Sequence, residues 1–280
     1  MTEPMISLVV ATRGRVDELG VLLASLRMQQ YRRLEIIVVD QNADDRLLGV
    51  LEAAADLPIR HVRAAARGLS YARNIGIGCC GGDIVGFPDD DCYYPDGVLA
   101  AVAAAFAAAP ELALLSGAAH SPNGRLGSGR WSATGGPITR ANVFTTVISF
   151  NLFLRADLLR SLGGFDERLG IGAKFGSCEE TELVIRAIAA GATTRYQPQL
   201  LVIHPDKRLS PIAVERAFAY GTGLGYVLRR HRCGWVATAT YLIRPFGGMV
   251  VYALRANRLA TTYYWRTLRG RIFGYLTADA

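Results

Sequence analysis

The sequence predicts an α/β protein, with a single mostly parallel sheet flanked by helices and a helical, basic and aromatic appendage after it. Three observations predict this. Apolar runs of strand length alternate with apolar residues at helical spacing through the first half of the 280-residue chain, the pattern of a parallel sheet covered on both faces. Two of these runs end in carboxylates, at Asp40 and at Asp89-Asp90-Asp91, and the carboxyl ends of strands are where such sheets hold ligands. Charge is also unevenly placed: residues 1–206 carry 19 Lys+Arg against 22 Asp+Glu, whereas residues 207–280 carry 12 against 2. The expected division is therefore one α/β domain over 1–206 and a tail over 207–280.

The elements follow in order. Ile6–Ala11 is a strand, and Val16, Leu19, Leu22, Leu23 and Leu26 repeat at helical spacing after it. Leu34–Val39 is a second strand, Leu47, Leu48 and Leu51 mark a second helix, and Ile59–Val62 is a third strand. A short helix is expected over Ser70–Ile77, a fourth strand over Asp83–Phe87, an alanine-rich helix over Val98–Ala109 stopped by Pro110, and a fifth strand over Leu112–Ser116. Residues 121–136 are rich in Gly and Ser and read as a loop. The composition of 143–154 is strand-like. A helix runs from near Cys178 to Gly191, Gln199–Ile203 is a last strand, and the rest is helical.

Composition excludes several classes. The five cysteines are odd in number and include no C-x-x-C pair, which predicts reduced thiols rather than a disulfide framework or a zinc site. The chain enters its first strand without a basic start and a long apolar stretch, so no signal peptide is expected and the localisation read from sequence is cytoplasmic. Gly76-Ile77-Gly78-Cys79-Cys80-Gly81 matches G-x-G-x-x-G by letter. A dinucleotide fingerprint must follow a strand and open a helix; these glycines follow a helix and precede a strand, so the match is a decoy.

Three adjacent carboxylates repel one another, and a divalent cation is the obvious compensation. Other motifs accompany them: Ala11-Thr12-Arg13-Gly14-Arg15 after strand one, Val38-Val39-Asp40-Gln41-Asn42 after strand two, and Gly68-Leu69-Ser70-Tyr71-Ala72-Arg73-Asn74. Gly163-Gly164-Phe165-Asp166-Glu167, Cys178-Glu179-Glu180-Thr181-Glu182 and Val202-Ile203-His204 complete the series.

In order and spacing these motifs resemble the family 2 glycosyltransferases, over residues 5 to about 206. The resemblance implies the GT-A fold, a Rossmann-like sheet, and inverting transfer of a sugar from a nucleotide-diphosphate donor (UDP-, GDP- or dTDP-linked) to a saccharide or lipid-linked acceptor, as in cell-surface polysaccharide or glycolipid synthesis. It implies that Thr12, Arg13, Asp40, Arg73, Asn74, Asp89 and Asp90 bind the donor. Asp89 and Asp91 of the D-x-D element, with His204, would hold Mn²⁺ or Mg²⁺. Glu180, paired with Glu179, would be the base, and Phe165 and Asp166 would lie near the acceptor. The chain departs from the family's usual Glu-Asp pair by having Glu179-Glu180. Ser177-x-x-Glu180 also reads as a capping box, in which Glu180 reaches back to the Ser177 amide. Two other readings stay open: a sugar-nucleotide pyrophosphorylase-like enzyme, and a non-catalytic membrane-associated scaffold of a polysaccharide assembly complex.

The tail interleaves Trp235, Tyr241, Phe246, Tyr252, Tyr263, Tyr264, Trp265, Phe273 and Tyr275 with arginine. Aromatic residues plus arginine favour an anionic membrane interface over nucleic acid. Arg244-Pro245 at the centre of residues 235–254 counts against a spanning helix, so the expectation is helices lying peripherally on the cytoplasmic face of the membrane or packed on the catalytic domain. The 121–136 loop is expected to close over donor or acceptor.

Overall fold

A computed structural model describes residues 3–127, 131–205 and 208–278. Part of the predicted loop (Ser128–Arg130) and the predicted domain boundary (Asp206 and Lys207) therefore lie outside the described residues. The chain falls into two compact units, one drawn from 1–67, 71–165 and 183–206, the other from 68–70, 166–182 and 207–280.

The first unit begins with β1 (Ile6–Thr12), α1 (Asp17–Arg27), β2 (Leu34–Asp40), α2 (Leu48–Glu52) and β3 (Ile59–Arg63). Next come α3 (Leu69–Ile77), whose first two residues count with the other unit, β4 (Ile84–Gly86), α4 (Val98–Ala108) and β5 (Leu112–His120). β6 (Leu152–Arg155), α5 (Ala156–Ser161), α6 (Glu179–Ala189, from Leu183 on) and β7 (Thr193–Ile203) complete it. The sheet order is β3-β2-β1-β4-β6-β5-β7. Among the described strands, β6 alone runs antiparallel to its neighbours.

Strand periodicity divides the core. Ile6, Leu8 and Val10 of β1 join Leu22 of α1 and Val102 of α4 in one buried cluster. Val9 points to the opposite face, where a Cβ on Gly76 of α3 would stand 2.3 Å from it. The first glycine of the decoy motif thus lets a helix lie close on the sheet.

The strand expected over 143–154 is largely absent. Val143–Thr145 and Ser149–Asn151 are single 3₁₀ turns, and only Leu152–Arg155 is strand. Local side-chain bonding explains the difference: the hydroxyls of Thr145 and Thr146 donate to the Asn142 carbonyl at 3.0 and 2.9 Å, which competes with a ladder. The Asn151 amide then donates to the carbonyls of Ala118 and Leu200, tying β5 to β7 where their register shifts.

The second unit contains α7 (Pro211–Arg230), α8 (Trp235–Leu254) and α9 (Arg258–Leu276). α7 and α9 approach through glycines spaced four apart, Gly221 and Gly225 on one and Gly270 and Gly274 on the other. A Cβ on any of them would come within 2.6 Å of a carbonyl oxygen of the facing helix. Neither G-x-x-x-G pair figured in the sequence reading.

All five cysteines are free thiols. Burial pushes Cys80 and Cys178 up to about 12, and the thiol form does not react as a nucleophile. Native protein treated with iodoacetamide at mild alkaline pH is expected to remain unmodified at both, with labelling only after denaturation. Mass spectrometry showing rapid native labelling at either would contradict that.

Candidate functional site

In the first unit the acid triplet sits just past β4. Asp89 bridges to Ala11 of β1, and the Cys92 amide donates to the Asp89 carbonyl at 3.1 Å, folding the triplet into a turn. Each carboxylate meets a cation of the protein itself. Arg73 reaches Asp89 at 2.8 Å, and Arg15 spans Asp90 at 2.8 Å and Asp91 at 2.5 Å. Burial raises both Asp90 and Asp91. At Asp90, Arg15 and the Thr12 hydroxyl offset this only in part, and the carboxyl stays above its usual range. At Asp91, His204 and Arg15 outweigh burial and hold the carboxyl below it.

His204 arrives through pairing across 110 residues of chain. Tyr93, just after the triplet, exchanges both backbone hydrogen bonds with Ile203 at the end of β7. This leaves His204 Nε2 3.3 Å from Asp91 Oδ1. The imidazole stacks on Phe150 (centroids 4.7 Å, 12° between planes), and its Nδ1 donates to the Pro205 carbonyl at 2.7 Å. The neutral ring therefore keeps its lone pair on Nε2, facing Asp91. Burial lowers the His204 pKa, but Asp91 raises it by more, and it ends above its usual value.

Ligand atoms of Asp91, Cys92 and His204 lie within 4.8 Å of one another. Burial holds the Cys92 thiol far above its ordinary pKa, so it stays protonated and is a poor ligand. The remaining oxygen and imidazole donors fit Mn²⁺ or Mg²⁺ rather than a thiophilic ion.

The loops after β1 and β2 frame a cleft of about 380 Å³ lined by Arg13, Gln41, Asn42, Arg46 and Arg67 among others. Asp40 is wholly buried beneath it. Its Oδ1 accepts from the Asn42 amide and side chain at 2.8 and 2.7 Å, and its Oδ2 lies 3.0 Å from His61 Nε2. The Asn42 side-chain oxygen in turn accepts from the Gly14 amide at 2.7 Å. Asp40 therefore orders the cleft, and Asn42 and Gln41 present its surface.

Arg73 is 1 % exposed. Its guanidinium lies 5.9 and 5.4 Å from the ring centres of Phe87 and Phe165, which face each other edge to face at 4.8 Å. A guanidinium so enclosed is not placed to stack on a base; it acts through Asp89. Asn74 clamps Phe165, donating to its carbonyl at 2.9 Å and accepting from its amide at 2.8 Å. Phe165 itself is core.

In the second unit, α6 opens with the acids Glu179, Glu180 and Glu182, which the positive end of the helix dipole favours. Glu179 and Glu182 are buried and Glu180 is half-buried. The capping box predicted from Ser177 and Glu180 does not form. The Ser177 amide donates to Phe175 and its hydroxyl to the Tyr220 carbonyl at 2.7 Å. Cys178, at φ +66°, precedes the helix and accepts from the Glu182 amide through its carbonyl. The predicted cap is therefore one residue off, and Glu180 is not drawn back to Ser177. Glu182 Oε1 lies 3.1 Å from His231 Nε2. Asp166 accepts from Arg168 and, at 2.9 Å, from the Tyr226 hydroxyl.

Sequence reading missed Arg15, Asn42 and His61 as site residues. Arg15 and Asn42 stood inside the quoted motifs, so position could have flagged them. His61 lies between Arg60 and Val62 in β3, and only its parallel register beside β2 reveals its partner.

The model of the family described as Glycosyl transferase family 2 matches residues 7–160. A pre-mycofactocin glycosyltransferase of Mycobacterium tuberculosis is 28 % identical over 246 residues, covering 81 % of this chain and 48 % of that protein. An uncharacterized glycosyltransferase of Haemophilus influenzae is 33 % identical over 94 residues, covering 33 % of this chain and 31 % of that one. The chain thus spans about half the length, or less, of these curated relatives. Among solved structures, the mannosyltransferase PcManGT of Pyrobaculum calidifontis, in complex with GDP-Man and Mn²⁺, superposes with a TM-score of 0.71 at 17 % identity over 100 % of this chain and 89 % of that one. S. aureus TarS 1–349 in complex with UDP-GlcNAc gives 0.63 at 17 % identity over 96 % and 91 %. The fold is GT-A.

Proposed function

The chain belongs to glycosyl transferase family 2, and from that premise we propose that it transfers a sugar from a nucleotide-diphosphate donor to an acceptor hydroxyl with inversion, using a divalent ion. Membership of the family supports a glycosyltransferase over the pyrophosphorylase-like reading. The observation that carries the finer reading is the meeting of Asp91 and His204 at 3.3 Å beside Asp89, in the same unit as the cleft over Asp40.

In this reading the base and ribose rest on the loops that carry Thr12, Arg13, Gln41 and Asn42, with Asp40 beneath them. Asp89, oriented by Arg73, faces the donor with Asp90. Asp91 and His204 would hold the ion, which when bound would supply Lewis-acid neutralisation of the leaving diphosphate. Glu180 takes the proton of the acceptor hydroxyl as that oxygen attacks the anomeric carbon, and Glu179 keeps the helix start acidic. Asp166 and Phe165 act structurally on the acceptor side. GDP-Man and UDP-GlcNAc, bound by the two solved relatives, define the donor class to test first. The acceptor is a saccharide or a lipid-linked glycan, and an anionic membrane surface is the remaining partner.

The test is thermal stabilisation by a panel of UDP-, GDP- and dTDP-sugars with and without Mn²⁺. At a hundred times its dissociation constant, a true donor stabilises by about 2.7 kcal/mol. One donor is expected to do so only with Mn²⁺, and Asp91→Asn is expected to lose the shift. A shift that is unchanged without metal and in the variant, or no shift with any donor, would overturn the reading.

A further inference from the structure

In the second unit α8 presents its apolar side outward. Val236, Ile243, Val250 and Leu254 recur at helical spacing, and all are exposed, Ile243 at 63 % and Leu254 at 83 %. Trp235 at the helix start is 81 % exposed, and Phe246 adjoins the stripe at 51 %. The opposite side of the helix meets α9, where Tyr252 stacks on Tyr264 and Gly248 lies against the Tyr264 ring. Helices of globular proteins normally turn the apolar stripe inward, and an exposed stripe this long marks an interaction surface.

Charge identifies the partner. Between Glu215 and Asp279 the sequence has ten arginines and no carboxylate. Arg232 precedes the stripe, and Arg255 and Arg258, both exposed, follow it. A continuous apolar face bracketed by cations matches an apolar layer bounded by anions. Twenty helical residues extend about 30 Å, yet no helix among the described residues is long and apolar enough to cross a membrane. Pro245, Arg244 and two glycines interrupt the centre of α8.

We infer that α8 lies in the plane of an anionic bilayer, with Trp235, Ile243, Phe246 and Leu254 in the acyl boundary and the flanking arginines at the headgroups. This specifies the membrane partner of the preceding reading and rests on it for its purpose, but its test requires no transfer.

The full chain is floated with phosphatidylcholine vesicles and with vesicles that also contain about 30 mol % phosphatidylglycerol. It is expected to float with the anionic vesicles only, and its tryptophan emission to shift to the blue. The triple variant Ile243→Glu, Phe246→Glu, Leu254→Glu changes only exposed positions. It should keep native circular dichroism and the donor-induced thermal shift while losing flotation. Arg255→Gln with Arg258→Gln should weaken partitioning about thirty-fold. Failure to float with anionic vesicles, equal flotation with neutral ones, or a dimer that the triple variant dissociates without any vesicle binding would overturn the inference. A normal vesicle result without donor-induced stabilisation would instead count against the transferase reading alone.

Discussion

Glu180→Gln is expected to reduce kcat by about 10²–10⁴-fold, the usual contribution of a positioned general base, while the donor-induced thermal shift persists. The amide keeps the size of the carboxyl and cannot accept the acceptor's proton. Glu180 stands in the first turn of α6 and is not spent as a cap on Ser177, whose amide and hydroxyl bond to Phe175 and Tyr220. The substitution therefore tests chemistry rather than helix formation. Circular dichroism and melting temperature should be nearly unchanged, and hydrolysis of the donor in the absence of acceptor measures the chemical step separately. A variant with full kcat would assign the base elsewhere, with Glu179 the next carboxylate to replace.

The largest expected loss of stability comes from single methyl groups. In Gly225→Ala the new Cβ would stand 2.0 Å from the Arg271 carbonyl oxygen, and in Gly274→Ala 1.9 Å from that of Thr222. Both contacts are backbone, so no side chain can swing aside, and α7 and α9 must separate along the whole interface. Overpacking of ordinary cores costs about 1–3 kcal/mol; main chain against main chain places these at or beyond about 3 kcal/mol. Gly247→Ala in α8 is the control. It has open space around its Cβ, and replacing a helical glycine is expected to stabilise by about 0.5–1 kcal/mol. Opposite signs for the same chemical change, read by thermal unfolding, would establish the glycine interface. Equal and small effects would show that the helices can separate without cost.

Much of the first unit was legible because its signals are local. Apolar runs of strand length and apolar residues at helical spacing placed the early strands and helices, and the three acids stood out as the end of the fourth apolar run. The reading failed at 143–154, where threonine hydroxyls bonding to the Asn142 carbonyl favour 3₁₀ turns over strand. It failed again at Ser177, where Tyr220, more than 40 residues away, takes the hydroxyl that a cap would have used.

The amino-acid sequence by itself determined the α/β alternation, the acidic strand ends, the helix that starts at Glu179-Glu180 and the strongly basic tail, since each depends on neighbours within a few turns of chain. Tertiary structure alone decided which side chain answers each acid: Arg15 for Asp90 and Asp91, Arg73 for Asp89, His204 for Asp91 and His61 for Asp40. It alone turned the apolar side of α8 outward. Charge pairing depends on distances between groups far apart in the chain, and a helix's apolar stripe states what it would bury without stating against what.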